Sequence, residues 1–302
     1  MYDLISIGNI AIDLYFRDKS LTFKDNRFQL ALGGKYFTNY FYFGIGGGGA
    51  NVAIGAQRSG LKTAVLGKIG NNSFKEVILD ALKKEDVTAY LCQLEEGYLD
   101  ISSILLTEKG ERTIVNFETP NQHILKSERD LVRLEKTRAV YFGNLPDVPL
   151  IEKIKLLYFF KQRNIVTIAN LGVKDCRRPI NQLANFLNKI QILIINGHEF
   201  ADLIKKKFTS IDFKKDVTDF IPLLKKIVVV VTLDKKGSYS YVNGTVTHQT
   251  AILVEKIVDS TGAGDGYTAA FIAEYILSGN VEKAMKKGSN YASEILTRVG
   301  AN

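Results

Sequence analysis

Between residues 63 and 195 the chain alternates continuously apolar segments with amphipathic ones, and this alternation restricts its fold more than any other feature. The apolar segments have the length of strands and comprise residues 63–66, 139–142, 165–169 and 190–195. The segments between them have helical spacing and comprise residues 73–84, 150–162 and 178–188. Because continuously apolar strands need cover on both faces, the sequence predicts an α/β fold with a mostly parallel central sheet.

The remainder of the chain adds elements of the same kinds. Residues 4–7 and 227–232 are further apolar strands, and residues 281–297 form a last helix. After residue 232 the dipeptide Asn243-Gly244 lies between two alternating runs, which predicts a hairpin.

Two segments, residues 14–43 and 101–117, are aromatic or β-branched, partly alternating and interrupted by turn residues. We predict that they pair into a small β-sheet lid. The α/β core then comprises residues 1–13, 44–100 and 118–302. The aromatic side chains of such a lid would be covered by a substrate or by a second copy of the chain, which makes a homodimer through the lid one option.

The segment Asp259-Ser-Thr-Gly-Ala-Gly-Asp265 precedes an apolar helical run and carries the strongest chemical signal. Gly262, Ala263 and Gly264 permit a turn whose peptide N–H groups point into one cavity. In the first helical turn, Asp265 is favoured in its charged form by free N–H groups and the helix dipole. Such amides can hold a migrating phosphoryl group while the carboxylate deprotonates the attacking hydroxyl. An ordinary glycine-rich helix start has the same local pattern.

A second glycine-rich segment, Gly46-Gly47-Gly48-Gly49, leads into a helix of small residues that ends near Gly60. Its glycines let a ligand approach the backbone closely, and Asn51 offers a donor and an acceptor to a sugar hydroxyl. Flexible turns share this glycine content. Asp13 follows the first strand at the sheet edge where ligands bind in open α/β folds, and both a substrate contact and a turn acid explain it.

Asn196 and Glu199 follow the strand at 190–195 and lie three residues apart at a predicted helix start. Their oxygens can reach one ligand cluster, and Mg²⁺ needs few protein ligands because it keeps waters and binds substrate phosphates. A helix cap with a first-turn acid explains the same pair.

Composition excludes several classes of protein. The 302 residues carry a net charge of +8, but the basic residues are dispersed, so no nucleic-acid-binding stripe is evident. Two distant cysteines, Cys92 and Cys176, indicate neither a disulfide framework nor a zinc site. The N-terminal residues lack the pattern of a signal peptide and no apolar run is long enough to span a membrane, which predicts a cytoplasmic protein without a membrane partner.

The two glycine-rich segments resemble the signatures of the ribokinase-like (PfkB) family of carbohydrate kinases, and they occur in the family's order. The resemblance implies a ribokinase-like three-layer α/β/α sandwich with a small β lid. It implies Asp265 as the general base and an anion hole formed by residues 262–265. It also implies that the sugar is bound by Asp13, Gly46, Gly47 and Asn51.

The resemblance extends to the nucleotide site. It implies ATP as the phosphoryl donor, with Asn196 and Glu199 organising Mg²⁺ and the phosphates, Glu199 through water. Further ATP-binding residues implied in this way are Thr232, Gly237 and Asn290, while Asp234 replaces a glycine common in the family. Asp259 and the carbonyls of residues 298–301 match a monovalent-cation site, which suggests potassium.

We therefore predict an ATP-dependent kinase that phosphorylates a hydroxymethyl group of a sugar. Alternatives are a nucleoside kinase, or a non-catalytic relative that senses sugars or nucleotides. A nicotinamide-dependent dehydrogenase is disfavoured because the first strand is not followed by Gly-x-Gly-x-x-Gly.

Overall fold

The computed structural model of the chain describes residues 1–25, 27–125 and 127–302, which form one large sheet and three smaller ones. The described strands are β1 (Tyr2–Ile7), β2 (Ala11–Arg17), β3 (Thr22–Lys24), β4 (Arg27–Gln29), β5 (Tyr40–Gly46), β6 (Thr63–Leu66), β7 (Lys68–Gly70), β8 (Gln93–Glu95), β9 (Asp100–Leu106), β10 (Arg112–Glu118), β11 (Thr137–Phe142), β12 (Val166–Ala169), β13 (Ile192–Asn196), β14 (Val228–Thr232), β15 (Ser238–Val242) and β16 (Thr245–Gln249).

The described α-helices are α1 (Gly48–Arg58), α2 (Lys75–Lys84), α3 (Leu150–Lys161), α4 (Val173–Cys176), α5 (Ile180–Leu187), α6 (Gly197–Leu203), α7 (Ala263–Ser278) and α8 (Val281–Ile295). Short 3₁₀ helices cover Glu128–Arg133, Phe208–Ser210, Val217–Phe220, Pro222–Lys226 and Asp234–Lys236.

The central sheet has eight strands in the order β16-β15-β14-β13-β12-β11-β1-β6. Pairing is parallel from β6 to β14, and the hairpin β15–β16 extends the sheet in antiparallel fashion. The predicted α/β class with a mostly parallel sheet is confirmed.

Helices cover both faces of this sheet, as its apolar strands require. In β1, Leu4 packs in one apolar cluster with residues of α1, α7 and α8. The neighbouring Ile5 packs in a second cluster with residues of α3, α5 and α6. Because successive side chains of a strand point to opposite faces, these two clusters lie on opposite sides of the sheet and make a three-layer sandwich.

A second sheet has the order β10-β9-β2-β5. Strands β2 and β5 come from the first aromatic segment, β9 and β10 from the second, and β2 pairs with β9 in parallel. The two segments therefore share one sheet. Whether residues 14–43 and 101–117 act as a lid on a separate core stays a prediction.

Some predicted element boundaries are wrong. Residues 30–32 and 36–39 lie outside the strands, where positive φ at Gly33 and a turn replace extended backbone. The helix predicted from residue 178 begins at Ile180, because Pro179 takes the N-cap position and restricts the residue before it. Among the described residues, no helix is both long and apolar enough to cross a bilayer.

Candidate active site

The two glycine-rich segments meet because α1 and α7 cross at very close range. A Cβ added to Gly55 of α1 would lie 2.6 Å from Ala269 Cβ of α7. Only a residue without a side chain permits this approach. The crossing brings the N-terminal ends of both helices together, and a Cβ added to Gly48 would lie 3.7 Å from Asp265 Oδ1.

At the N-terminus of α7 the backbone turns through Gly262, which has φ 76° in the left-handed region. A side chain at Gly262 would also overlap Ala301, whereas one at Gly264 would meet nothing within 4 Å. The Ala263 amide has only a long contact of 3.5 Å with the Ser260 carbonyl. The first-turn amides of an α-helix have no intrahelical partner, so this turn can receive an anion.

Asp265 is held by Asn51, not by a cation. The Asn51 side-chain amide donates to Asp265 Oδ2 at 2.7 Å, although the two residues are 214 positions apart. Asn302 in turn donates to Asn51 Oδ1 at 2.9 Å and to the Ile45 carbonyl at 2.9 Å. This chain of bonds fixes the orientation of the Asn51 amide and hence of the carboxylate.

Burial raises the pKa of Asp265 above its ordinary value, and the hydrogen bond from Asn51 opposes that rise. A carboxylate with a raised pKa is a stronger base than a free one, and it still accepts a proton only while it is charged.

Asp13 lies inside β2, so the alternative interpretation as a turn acid is wrong. It is 6% exposed, its carboxylate lies directly against Gly46, and Tyr15 donates to Oδ2 at 3.3 Å. Burial raises the Asp13 pKa, while hydrogen bonds from Ser102 and Tyr15 lower it. Gly47, the N-cap of α1, has φ 86°. The structure thus brings together the residues predicted to bind the sugar.

A cavity of about 240 Å³ opens beside these residues. It is lined by the described residues Asn9, Ala11, Gly47, Gly48, Asp100, Ser102, Asn116, Glu118, Tyr141, Asn144, Asn170 and Asp265. The lining therefore combines the N-terminal ends of α1 and α7 with strand ends of the central sheet and of the β10-β9-β2-β5 sheet. Its size suits a small acceptor molecule.

Asn196 and Glu199 form a complete capping box at the start of α6. Asn196 Oδ1 accepts from the Glu199 amide at 2.9 Å, and Glu199 Oε2 accepts from the Asn196 amide at 3.1 Å. Asn170 also donates to Glu199 Oε2 at 3.4 Å. Burial raises the Glu199 pKa, while hydrogen bonds from Asn196 and Asn170 lower it. Asn170 also lines the cavity that Asp265 lines, which connects the two carboxyl groups.

Two further residues predicted to bind ATP, Thr232 and Gly237, lie at the end of the central sheet where Asn196 lies. Thr232 ends β14 directly opposite Asn196 of β13. Gly237 precedes β15 with φ 83°, and Asp234 also has a positive φ, 46°. This left-handed backbone explains why a glycine suits position 234 and why Asp, which tolerates that region, can replace it. Asn290 lies on α8, a helix that packs against β16.

Asp259 is fully buried, and its hydrogen-bond donors among the described residues are neutral. Its Oδ1 accepts from the Thr261 amide at 2.9 Å and from the Thr261 hydroxyl at 2.7 Å, and its Oδ2 accepts from the Gly300 amide at 3.1 Å. The structure thus joins Asp259 to the residue range 298–301 predicted to share a cation with it.

Sequence reasoning missed the acidic wall of the cavity, Asp100 and Glu118. They are directly opposite each other in the β9–β10 pair. Burial raises the pKa of Asp100 to about 7, with further contributions from Glu118 and Asp13. The position of the turn predicts this pair. Thr107 and Glu111 close the turn between the two strands, and Asp100 and Glu118 lie seven residues from it on either side.

Another missed contact joins the second sheet to the α7 signature. Arg112 of β10 donates a hydrogen bond to the Ser260 hydroxyl, two residues before Gly262. No local pattern indicates this partner, because the two residues are 148 positions apart.

Comparison with known proteins agrees with this geometry. The model of the pfkB family of carbohydrate kinases matches residues 1–302. The chain is 24% identical to an ATP-dependent 6-phosphofructokinase of Thermoanaerobacterium thermosaccharolyticum, over 99% of this chain and 89% of the relative. It is 26% identical to a ribokinase of Staphylococcus aureus, over 85% and 83%. The solved ribokinase of Arabidopsis thaliana with ribose and ATP superposes with a TM-score of 0.79 at 21% identity, over 99% and 94%.

Proposed function

The chain belongs to the PfkB family of carbohydrate kinases and is an ATP-dependent kinase with the ribokinase-like fold, and from this premise we propose that it phosphorylates a hydroxymethyl group of a sugar with Asp265 as general base. The observation that carries the proposal is the bond between Asn51 and Asp265, since it holds a partly buried carboxylate on the acceptor cavity in the first turn of α7.

The acceptor is oriented before reaction. Asn51 contacts the Asp265 carboxylate and Asp13 lies against Gly46, so a sugar hydroxyl held by these residues and Gly47 would lie within reach of Asp265. Asp265 then removes the hydroxyl proton. The backbone amides of residues 262–265 stabilise the negative charge on the transferring phosphoryl group, because they are fixed in place by the helix and need no reorganisation.

ATP is proposed to lie along the edge formed by the ends of β13 and β14. Asn196 and Thr232 are neighbours there, and Gly237 and Asn290 complete the predicted set. Mg²⁺ would neutralise phosphate charge when bound. The residues fit a hydrated ion: Glu199 is an oxygen ligand, and the hydrogen bonds that it accepts from Asn170 and Asn196 both fall on Oε2.

Potassium is proposed at Asp259. The site suits a monovalent cation because its carboxylate is fully buried and, within the part of the chain that the structure describes, its donors are amides and a hydroxyl. Measured kinase rates in potassium and in a bulky organic cation at equal ionic strength test this assignment.

A second copy of the chain is proposed to cover the outer part of the β10-β9-β2-β5 sheet. Phe41 is 55% exposed, Val115 65% and Phe117 58%, which is unusual for large apolar side chains. Sedimentation of wild type and of Phe117→Ser tests the homodimer. The cytoplasmic location and the lack of a nucleic-acid or membrane partner stay predictions.

The experiment that tests the function is a coupled assay of ADP formation over a panel of sugars and nucleosides, run with wild type and Asp265→Asn. We expect sugar-dependent ADP formation that falls roughly 10²–10⁴-fold in the variant. ATP binding, measured by calorimetry, should be nearly unchanged. Binding of sugar without ADP formation by wild type would favour the sensing alternative, and a preference for nucleosides would favour the nucleoside kinase.

A further inference from the structure

The cavity has a one-sided charge. Three of its described lining residues carry carboxyl groups, Asp100, Glu118 and Asp265, and none of the described lining residues is Lys or Arg. Asp13 adds a fourth acid nearby, since its charge acts on Asp100. An acceptor bearing a phosphate or carboxylate would therefore meet negative charge in the cavity and find no cationic side chain to compensate it.

The pair Asp100 and Glu118 is costly for the sheet that contains it. Like charges directly opposite each other in an antiparallel pair are destabilising, and Asp100 is only 7% exposed. The buried cation Lys68, whose Nζ lies 6.0 Å from the centre of the Tyr98 ring, is already paired with Glu95 at 2.6 Å. Such a cost is typical of residues that have a role in ligand binding.

Asn9 provides an independent sign of a missing donor. Its side-chain NH₂ group donates to Glu118 Oε1 at 2.6 Å. The remaining polar atom of the Asn9 side chain is therefore the carbonyl oxygen Oδ1. That oxygen is buried and has no hydrogen-bond partner among the described residues, although Asn9 lines the cavity. A buried carbonyl oxygen without a donor is unfavourable, so this wall is built for a ligand that donates.

Asn9 Oδ1 and the carboxyl oxygens of Asp100 and Glu118 accept hydrogen bonds, so this wall suits a ligand that carries donors. Hydroxyl and ammonium groups are the donors that sugars and their amines present. Among the described residues, no three groups from Asp, Glu, His and Cys come together as a metal site.

Resting on the proposed function, we propose that Asp100, Glu118 and Asn9 select the acceptor: a sugar that is uncharged or carries a protonated amine, with sugar phosphates and sugar acids excluded. Asp100 and Glu118 accept hydrogen bonds from the donors of such an acceptor. The same two carboxylates repel an anionic group placed beside them.

The test compares acceptors that differ in one group. Wild type is assayed for ADP formation with ribose and ribose 5-phosphate, fructose and fructose 6-phosphate, and glucose, glucosamine and gluconate. We expect kcat/KM for the uncharged or amine-bearing member to exceed that for the anionic member by roughly tenfold or more in each set. A higher kcat/KM for glucose identifies the donor as a hydroxyl group, and a higher kcat/KM for glucosamine identifies it as an ammonium group.

Two variants assign the effect to the acidic pair. Asp100→Asn and Glu118→Gln should each lower the ratio of neutral to anionic kcat/KM several-fold, mostly through KM for the anionic acceptor. Asp80→Asn removes one negative charge from an exposed position on α2 and should leave the ratio unchanged. Glu118→Gln keeps an oxygen for the Asn9 amide, so it remains informative if Asp100→Asn fails to fold.

The outcomes separate this inference from the proposed function. Preference of wild type for an anionic acceptor overturns the inference and leaves the kinase assignment standing. An unchanged ratio in both folded variants also overturns it, since the pair would then have only a structural part. No ADP formation with any sugar class overturns the proposed function, and the inference with it.

Discussion

The first turn of α7 and the open end of the β9–β10 hairpin both place a carboxyl group on the same cavity, but they surround it with different partners. Asp265 receives the Asn51 amide at 2.7 Å and lies in the first turn of a helix, where the dipole favours an anion. Asp100 faces a second acid, Glu118. Burial raises the pKa of both acids, but in the helix turn a hydrogen bond opposes that rise, whereas in the hairpin the neighbouring acid adds to it. The hairpin acids are therefore suited to receive donors from a ligand.

The largest expected effect comes from the helix turn. Gly262→Ala would place a side chain in a left-handed backbone and against Ala301, so we expect a loss of roughly 2–5 kcal/mol in the free energy of unfolding. The displaced amides should also lower kcat roughly 10²-fold. Denaturant unfolding and the coupled kinase assay measure the two effects.

Gly264→Ala is the matched control for stability. A Cβ there meets nothing within 4 Å, and alanine favours a helix, so the free energy of unfolding should stay equal or rise by about 0.5–1 kcal/mol. Equal losses of stability in both variants would contradict the special geometry assigned to Gly262.

A smaller effect is expected when Asp265 loses the hydrogen bond from Asn51. Asn51→Leu deletes the hydrogen bond that opposes the burial-induced rise of the Asp265 pKa, so that pKa should rise further. Because a general base acts only when charged, activity is lost as pH falls through this pKa. The acidic limb of the kcat profile should therefore move to higher pH, with kcat at neutral pH falling roughly tenfold.

Asn302→Ala provides the comparison for Asn51. It removes the bond to Asn51 Oδ1 and leaves the bond from Asn51 to Asp265 in place, so the acidic limb should move less. If the acidic limb of the kcat profile stays at the same pH in Asn51→Leu, Asn51 does not set the charge of Asp265.

The smallest effect concerns the hairpin. The Asp100 pKa, about 7 in the folded chain against 3.8 as its ordinary value, means that the folded state binds the proton more tightly. Its contribution to stability is present at pH below 3.8 and is lost as pH rises through 7. Asp100→Asn should therefore raise Tm by roughly 2–6 °C at pH 8 and by less at pH 5. A lower Tm at pH 8 would mean that the acid stabilises the sheet.

Much of the fold was predictable because its signals are local. The apolar segment 63–66 became β6 with the same bounds, and the helix predicted from residue 150 begins there as α3. Glycine-rich turns such as the one at Gly262 were recognisable because they need a backbone that few residues adopt. Residues 30–39 were predicted less well, since alternation is short there and turns interrupt it.

The candidate site was predicted only in part. Asp265, Asn51 and Asp13 were expected from motifs, and the structure brings them together. Asp100 and Glu118 were missed, although the turn at residues 107–111 already implied that they face each other. Their position on the acceptor cavity depends on the parallel pairing of β2 with β9, which no local pattern reveals.

The sequence by itself determined the alternating strands and helices, the left-handed turns and the residue types able to hold a phosphoryl group and a proton, because each depends on neighbours within a few positions. Only the tertiary structure decided which charges share the cavity. Asn51 and Asp265 are 214 positions apart, and their meeting depends on the close crossing of α1 and α7 at Gly55. Burial and Coulomb interactions then set the pKa of each acid, and both arise only when distant segments pack.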